Sequence, residues 1–207
     1  MTSKSFKDSS FYVGLLLGVI TFCCLSIVFI VRDITAERIS EAAFEKQNSS
    51  FKLLLKGIKF DNNPGAECYI ADGLGSSPKK GYVAKYHGKV SAYVVYYDVA
   101  GGYSTPFSMV AGVDAASGLI NYVDVVEFNE TPGLGDKILR SSGNYLDSFS
   151  GAGLSNRVFE VKKDGGDFDF FTGATVTPRA VVRSTGSMLK RIGSLDLDAL
   201  KKCEGER

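Results

Sequence analysis

The apolar and polar positions divide the chain into three regimes. From Phe11 to Val31, "FYVGLLLGVITFCCLSIVFIV", no position carries a charge. At about 1.5 Å per residue this block reaches roughly 30 Å, the thickness of a bilayer's hydrocarbon core. The pattern predicts a transmembrane helix over 11–31. Arg32 and Asp33 follow at once, with no Ala-x-Ala cleavage pattern, so the block reads as a retained anchor rather than a secretory signal. In "RDITAERISEAAFEKQNSSFKLLLKGI", Ile34, Ile39, Ala42, Ala43, Leu53, Leu54, Leu55 and Ile58 recur with an interrupted helical period. One or two connecting helices are expected there, followed by a Gly/Pro/Asn/Ser-rich loop with room for one short strand in "DNNPGAECYIADGLGSSPKKG".

The period then shortens. "YVAKY", "KVSAYVVYYDVA", "FSMVAGVD" and "LINYVDVVEFNE" are rich in Val, Tyr, Phe and Ile and are separated by "HG", "GGYSTP" and "AASG". Turn residues at such spacing predict an antiparallel meander. "KILRSSGNYLDSFSG" is expected to be helical and "VFEVKKDGGDF" to form a hairpin arm. In "PRAVVRSTGSMLKRIGSL", Val181, Val182, Thr185, Met188, Leu189 and Ile192 fall on one helical face. The fold class expected is therefore α+β: a single N-terminal transmembrane helix, then a domain with an antiparallel sheet and packed helices. We divide the chain into an N-terminus (1–10), the span (11–31), a helical connector (32–65), the folded domain (66–195) and a C-terminal tail (196–207).

Charge narrows the partners. Lys and Arg total 24 against 23 Asp and Glu, a balance that argues against a nucleic-acid surface. The counts of Lys and Arg at the two ends of the span nearly tie, and we take the short N-terminus inside and the domain outside. The one histidine, His87, sits in "YHGK" and reads as a solvated hairpin turn, which removes histidine-based metal sites and catalytic triads. Cys23 and Cys24 lie in the span as small apolar residues. Cys68 and Cys203 can pair in an oxidising compartment, but no neighbouring Cys spacing suggests it, so their disulfide state stays open in the sequence.

Two stretches bear on chemistry. In "FTGATVTPRAVV", Pro178 follows Thr177, and proline favours the first position of a helix. That predicts Thr177 as N-cap, its hydroxyl at a helix start where unpaired N–H groups and the helix dipole favour a phosphate. Gly173 and Ala174 add little bulk, and Arg179 supplies a nearby cation. In "ETPGLGDKI", Glu130 to Ile138, Pro132, Gly133 and Gly135 form a turn that lets a flat ligand approach the backbone, with Leu134 as apolar contact. On these residues alone, an ordinary Thr-capped loop and an ordinary turn remain the simpler readings.

Together, "TGATVT" and "ETPGLGDKI" resemble the two signatures of bacterial FMN-binding domains that carry the flavin covalently. Their order behind a single apolar span is similar to the G subunit of Rnf (Rsx) ion-translocating electron transport complexes. The C subunit of the sodium-pumping NADH:quinone oxidoreductase shares both motifs over a longer chain and is the alternative. The resemblance implies an FMN joined by a flavin transferase, through a phosphoester, to Thr177. Thr175 would support it, Gly173 and Ala174 would keep the approach open, and Glu130, Thr131, Gly133, Leu134 and Gly135 would border the isoalloxazine. The first motif position is Thr172 where the family has Ser or Asp. The family's role is an electron relay coupling ferredoxin/NAD electron transfer to ion transport. Such a flavoprotein is not catalytic alone. The resemblance implies that its partners are the other members of the complex, and that it sits in the bacterial inner membrane with its domain on the outer side. Some similar complexes instead keep a redox-sensing regulator reduced. A pilin-like structural protein shares the outline, but that class carries an acid in its span and Phe11–Val31 has none.

Overall fold

The computed structural model describes residues 10–103, 106–128, 133–196 and 200–203, with the side chains of 10–11 and 36–48 left undescribed. The chain divides into two units, residues 1–47 and 48–207. Helix α1 (Ser10–Leu54) makes up the described part of the first and contributes its last two turns to the second. Its stretch Tyr12–Thr35 is long and apolar enough to cross a membrane, four residues beyond the predicted Val31. The hydroxyls inside this stretch are satisfied by the helix itself: Thr21 donates to the Leu17 carbonyl at 3.0 Å, Ser26 to Phe22 at 2.8 Å and Thr35 to Val31 at 2.6 Å. In hydrocarbon, where no water competes, such back-bonding removes the cost of a bare polar group.

The second unit is built on a six-stranded antiparallel sheet in the order β5-β4-β3-β2-β1-β6. Its strands are β1 (Cys68–Ala71), β2 (Lys79–Tyr86), β3 (Lys89–Val99), β4 (Phe107–Asp114), β5 (Ile120–Glu127) and β6 (Lys201–Lys202). β2 to β5 form the predicted meander. His87 (φ 49) and Gly88 (φ 76) make the first hairpin turn, and both faces of the sheet are covered. Along β3, Val95, Tyr97 and Val99 face one core, while Ala92 and Val94 face another beneath Phe51, Leu54 and Leu55 of the α1 end. Successive strand residues point to opposite faces, so a nearly unbroken apolar run follows from burial on both.

Two expectations are corrected here, and the open state of Cys68 and Cys203 is answered. The tail supplies β6, which pairs with β1 (Tyr69↔Lys202), and Cys68 and Cys203 form a disulfide with Cα atoms 5.4 Å apart. Strand pairing across 135 residues of sequence brings these cysteines together, which local spacing cannot reveal. The helical segment around 137–151 resolves into two short 3-10 helices, Asp136–Ile138 and Tyr145–Phe149. Between them "SSGN" supplies weak helix formers. The expected hairpin arm at 158–168 has one bridge, Val161↔Phe168, and a 3-10 turn Lys162–Asp164. There Gly165 takes φ 88, and Gly166 packs so tightly that a Cβ would lie 2.0 Å from the Glu160 carbonyl oxygen. A folded-back loop replaces the ladder.

Candidate functional site

Helix α2 (Val176–Gly193) lies on the larger core, burying Val181, Val182, Met188 and Leu189. Its start differs from the sequence expectation. The N-cap is Thr175, whose carbonyl accepts from the Arg179 N–H at 3.1 Å, and Thr177 lies inside the first turn. Proline is tolerated through that turn because N–H groups there lack intrahelical acceptors, so Pro178 sits at the third helical position rather than the first. Ahead of the helix, residues 171–174 close a tight turn: the Ala174 N–H donates to the Phe171 carbonyl at 3.0 Å. Gly173 takes φ 81 there, a value that favours glycine, and nothing lies within 4 Å of where its Cβ would be.

No acid occupies the first turn of α2. Arg179, expected as a cation for a phosphate, is instead paired with Asp164 at 2.5 Å and 3.0 Å. The Arg179 hydrogen bond holds the Asp164 carboxyl below the usual range. Thr177 and Ala174 are fully buried, Thr175 is half-buried, and Thr172 and Gly173 are exposed.

In the second motif, Gly133 has φ 81 and its N–H donates to Asp136 Oδ1 at 2.9 Å. Leu134 is exposed and Gly135 is buried at the start of the 3-10 helix Asp136–Ile138. Glu130 and Thr131 lie outside the described residues.

A cleft of ≈ 710 Å³ has one residue from each of the two quoted stretches in its wall. Lys137, from "GLGDKI", and Phe171, immediately before Thr172, both line it, together with Asn144, Tyr145, Ser148 and Asp169. Thr177 and residues 133–135 are not among its lining. The Tyr145 and Phe171 rings meet at 5.1 Å between centroids, and the Tyr145 hydroxyl donates to the Asp169 carbonyl at 3.1 Å. Burial pushes the Tyr145 phenol well above its usual pKa, and the Asp169 charge adds to this. Both acids at the cleft have cationic partners, Asp169 with Lys162 at 2.6 Å and Asp147 with Arg140. Arg140 also donates to the Val123 carbonyl at 2.9 Å, which ties this wall to β5. Lys137 makes no ion pair among the described residues. Sequence reasoning missed Asn144, Tyr145, Ser148 and Asp169. They come from 3-10 and loop segments that carry no periodic signal.

The lining suits a flat cofactor: an ammonium with no ion pair among the described residues, hydroxyl and amide groups, two aromatic rings, and two carboxylates each matched by a cation. The helix start that follows Phe171 is free of acids. The FMN-binding domain family matches residues 102–190. The G subunit of the ion-translocating oxidoreductase complex of Salmonella typhi is 35% identical over 185 residues, 87% of either chain.

The chain belongs to the family of G subunits of ion-translocating oxidoreductase complexes. The family member from Pseudomonas aeruginosa strain UCBPP-PA14 is 38% identical over 86% of either chain. That of Photorhabdus laumondii is 36% identical over 94% of this chain and 96% of its own. Among solved structures, the crystal structure of Shewanella oneidensis NqrC aligns with a TM-score of 0.44 at 22% identity, covering 64% of this chain and 63% of that one. Residues 102–190 of this Rnf-type chain match an FMN-binding domain, and the chain is an electron-transfer component of a translocase.

Proposed function

We propose that this chain is a membrane-anchored flavoprotein that relays electrons within an Rnf-type ion-translocating oxidoreductase. The observation that carries this reading is the cleft lined by both Lys137 and Phe171, one from each motif region, with an acid-free helix start just beyond Phe171 in the chain. FMN bound here would supply the electron transfer itself. The chain's own groups then do the rest. The start of α2 favours the phosphate through its dipole. Lys137 offers a positive charge to the ring system, and Tyr145 and Phe171 cover it against water. Gly133, Leu134 and Gly135 form the neighbouring border, and Glu130 and Thr131 are assigned to it on the motif alone.

The attachment we propose is a phosphoester from the FMN phosphate to Thr177, made by a flavin transferase, with Thr175, Gly173 and Ala174 shaping the approach. α1 anchors the chain in the bacterial inner membrane, and the domain lies on the outer side. The disulfide between Cys68 and Cys203 supports that side, because such bonds persist in oxidising compartments. The partners are the other members of the complex, which pass electrons between ferredoxin and NAD while ions move.

The test is to express the full chain with a flavin transferase, denature it and look for flavin fluorescence that stays with the polypeptide. Peptide mass spectrometry is expected to find FMN on Thr177, and Thr177→Ala to lose it. A chain that stays colourless beside an active transferase overturns the reading.

A further inference from the structure

Helix α2 carries Arg179 and Arg183 one turn apart, and both are held by acids of the folded-back loop at 158–168. Arg179 meets Asp164 through Nε at 2.5 Å and Nη2 at 3.0 Å, a two-point fork. Arg183 Nε donates to both oxygens of Glu160, at 3.0 Å and 2.8 Å, and its Nη2 lies 3.6 Å from Asp164. The pairs are nested. The inner one, 164 to 179, closes a segment that holds Asp169 and Phe171 of the cleft wall and the whole "TGATVT" stretch. The outer one, 160 to 183, encloses the same segment again.

Each side of this clasp stands on a fixed base. On the acid side, the Lys162 N–H donates to the Phe168 carbonyl at 2.7 Å and the Gly166 N–H to the Val161 carbonyl at 3.1 Å. Phe168 is buried and stacks on Phe149 at 4.7 Å. On the arginine side, Val181 and Val182 seat α2 in the larger core. The four clasp side chains keep between 24% and 54% of their surface exposed. Ion pairs this wet add little to global stability. What they fix is the placement of the groups they join.

We propose that Arg179 and Asp164 are positioning residues for the flavin: their pair sets where the cleft wall at Asp169 and Phe171 stands relative to the start of α2, and so orients the ring against its phosphate end. This rests on FMN occupying the cleft and the helix start as proposed above. Arg179 acts through Asp164 and not on the cofactor itself. The Arg179 hydrogen bond holds the Asp164 carboxyl below its usual range, so the pair stays charged into acid. With the fork cut, the segment keeps its anchors at Phe168 and α2 but gains freedom between them. The ring then samples more than one orientation.

The experiment uses the full chain in detergent micelles, without FMN and loaded by a flavin transferase, as wild type, Asp164→Asn, Arg179→Gln and the double variant. In the flavin-free chain, either single change is expected to speed hydrogen exchange at the Ala174 amide about two- to fivefold. In the loaded chain, both are expected to weaken the visible circular dichroism of the flavin, which depends on fixed surroundings. The double variant is expected to match either single one, because both cut the same fork. The urea midpoint is expected to move little. Wild-type exchange and dichroism in Asp164→Asn overturn the proposal. So does an effect of Arg179→Gln that Asp164→Asn does not share, since Arg179 would then act on the flavin directly. Full additivity in the double variant, or a drop in urea midpoint that accounts for the faster exchange, overturns it as well. If the wild-type chain takes up no FMN beside an active transferase, the flavin reading itself fails and the positioning role with it, a result distinct from variants that load normally and keep wild-type signals.

Discussion

The Tyr97 phenol on β3 and the Thr185 hydroxyl on α2 lie 2.9 Å apart, both buried, and couple the sheet to its covering helix. Thr185 also donates to the Val181 carbonyl at 2.8 Å, so the pair forms a short satisfied chain in the core. Tyr97→Phe keeps the ring and removes one net hydrogen bond, with an expected cost of about 1 kcal/mol. Burial pushes the Tyr97 phenol well above its usual pKa, and the Thr185 bond offsets this only in part. The neutral form is thus the one the fold stabilises. That stability is full below the unfolded value, 10.0, and is lost as pH rises beyond it. Urea titrations from about pH 8 to 11 should show stability falling above roughly pH 10, with a shallower fall in Tyr97→Phe. An identical fall in both would show that Tyr97 is not the group responsible.

Cys68 and Cys203 staple the last strand to the first across 135 residues. β6 is only Lys201–Lys202, and such an edge has little pairing of its own to hold it. Reduction, or Cys203→Ser, is expected to lower stability by about 2–4 kcal/mol. Urea midpoints with and without reductant measure this. Free thiols at Cys68 and Cys203 on the untreated chain, beside those of Cys23 and Cys24, would rule out the staple.

How much of this was legible in sequence follows from the range of each interaction. The meander could be read because strand residues buried on both faces are written locally, as in Lys89–Val99. α2 could be read because Val181, Val182, Met188 and Leu189 share one face. Its first residue could not, because Pro178 fits anywhere in the first turn and the choice depends on the 171–174 turn before it. The two motifs were visible as separate words. That Lys137 and Phe171 share one cleft depends on 3-10 segments held by contacts such as Arg140 to Val123.

Gly112 on β4 is required by packing rather than by backbone angle. A Cβ there would lie 2.2 Å from the Leu54 carbonyl oxygen, at the end of α1. The same carbonyl accepts from Asn121 Nδ2 at 2.7 Å. Gly112→Ala must push the helix end off the sheet, with an expected loss of about 1–3 kcal/mol. Asn121→Ala removes only the hydrogen bond and is expected to cost about 1 kcal/mol. Because both act on one carbonyl, their effects should add poorly in the double variant. Full additivity in thermal or urea unfolding would indicate that the helix end is not seated as described.

Thr175 and Thr177 should respond oppositely to alanine. Thr175 is the N-cap by position but makes no side-chain bond to the helix N–H groups. Its hydroxyl reaches only the Phe171 carbonyl at 3.4 Å. Thr175→Ala is therefore expected to cost less than about 0.5 kcal/mol, below the usual range for a lost cap, and to keep FMN on the chain. Thr177→Ala should lose the flavin altogether. Mass spectrometry of the intact variants decides it, and loss of FMN from Thr175→Ala alone would move the attachment point.

Lys137 offers the last test, on the flavin rather than on the fold. It lines the cleft without an ion pair among the described residues, whereas Asp147 and Asp169 beside it are each matched by a cation. A positive charge near the ring favours the reduced, more anionic flavin. Replacing it should therefore lower the reduction potential. With an effective dielectric near 20, a charge at cleft distance contributes roughly 1–2 kcal/mol, or about 40–90 mV for one electron. Lys137→Gln is expected to shift the potential down by that order, and Lys137→Arg to restore most of it. Spectroelectrochemistry of the FMN-loaded chain measures both. An unchanged potential in Lys137→Gln would place the ring away from this cleft even if Thr177 carries the phosphate.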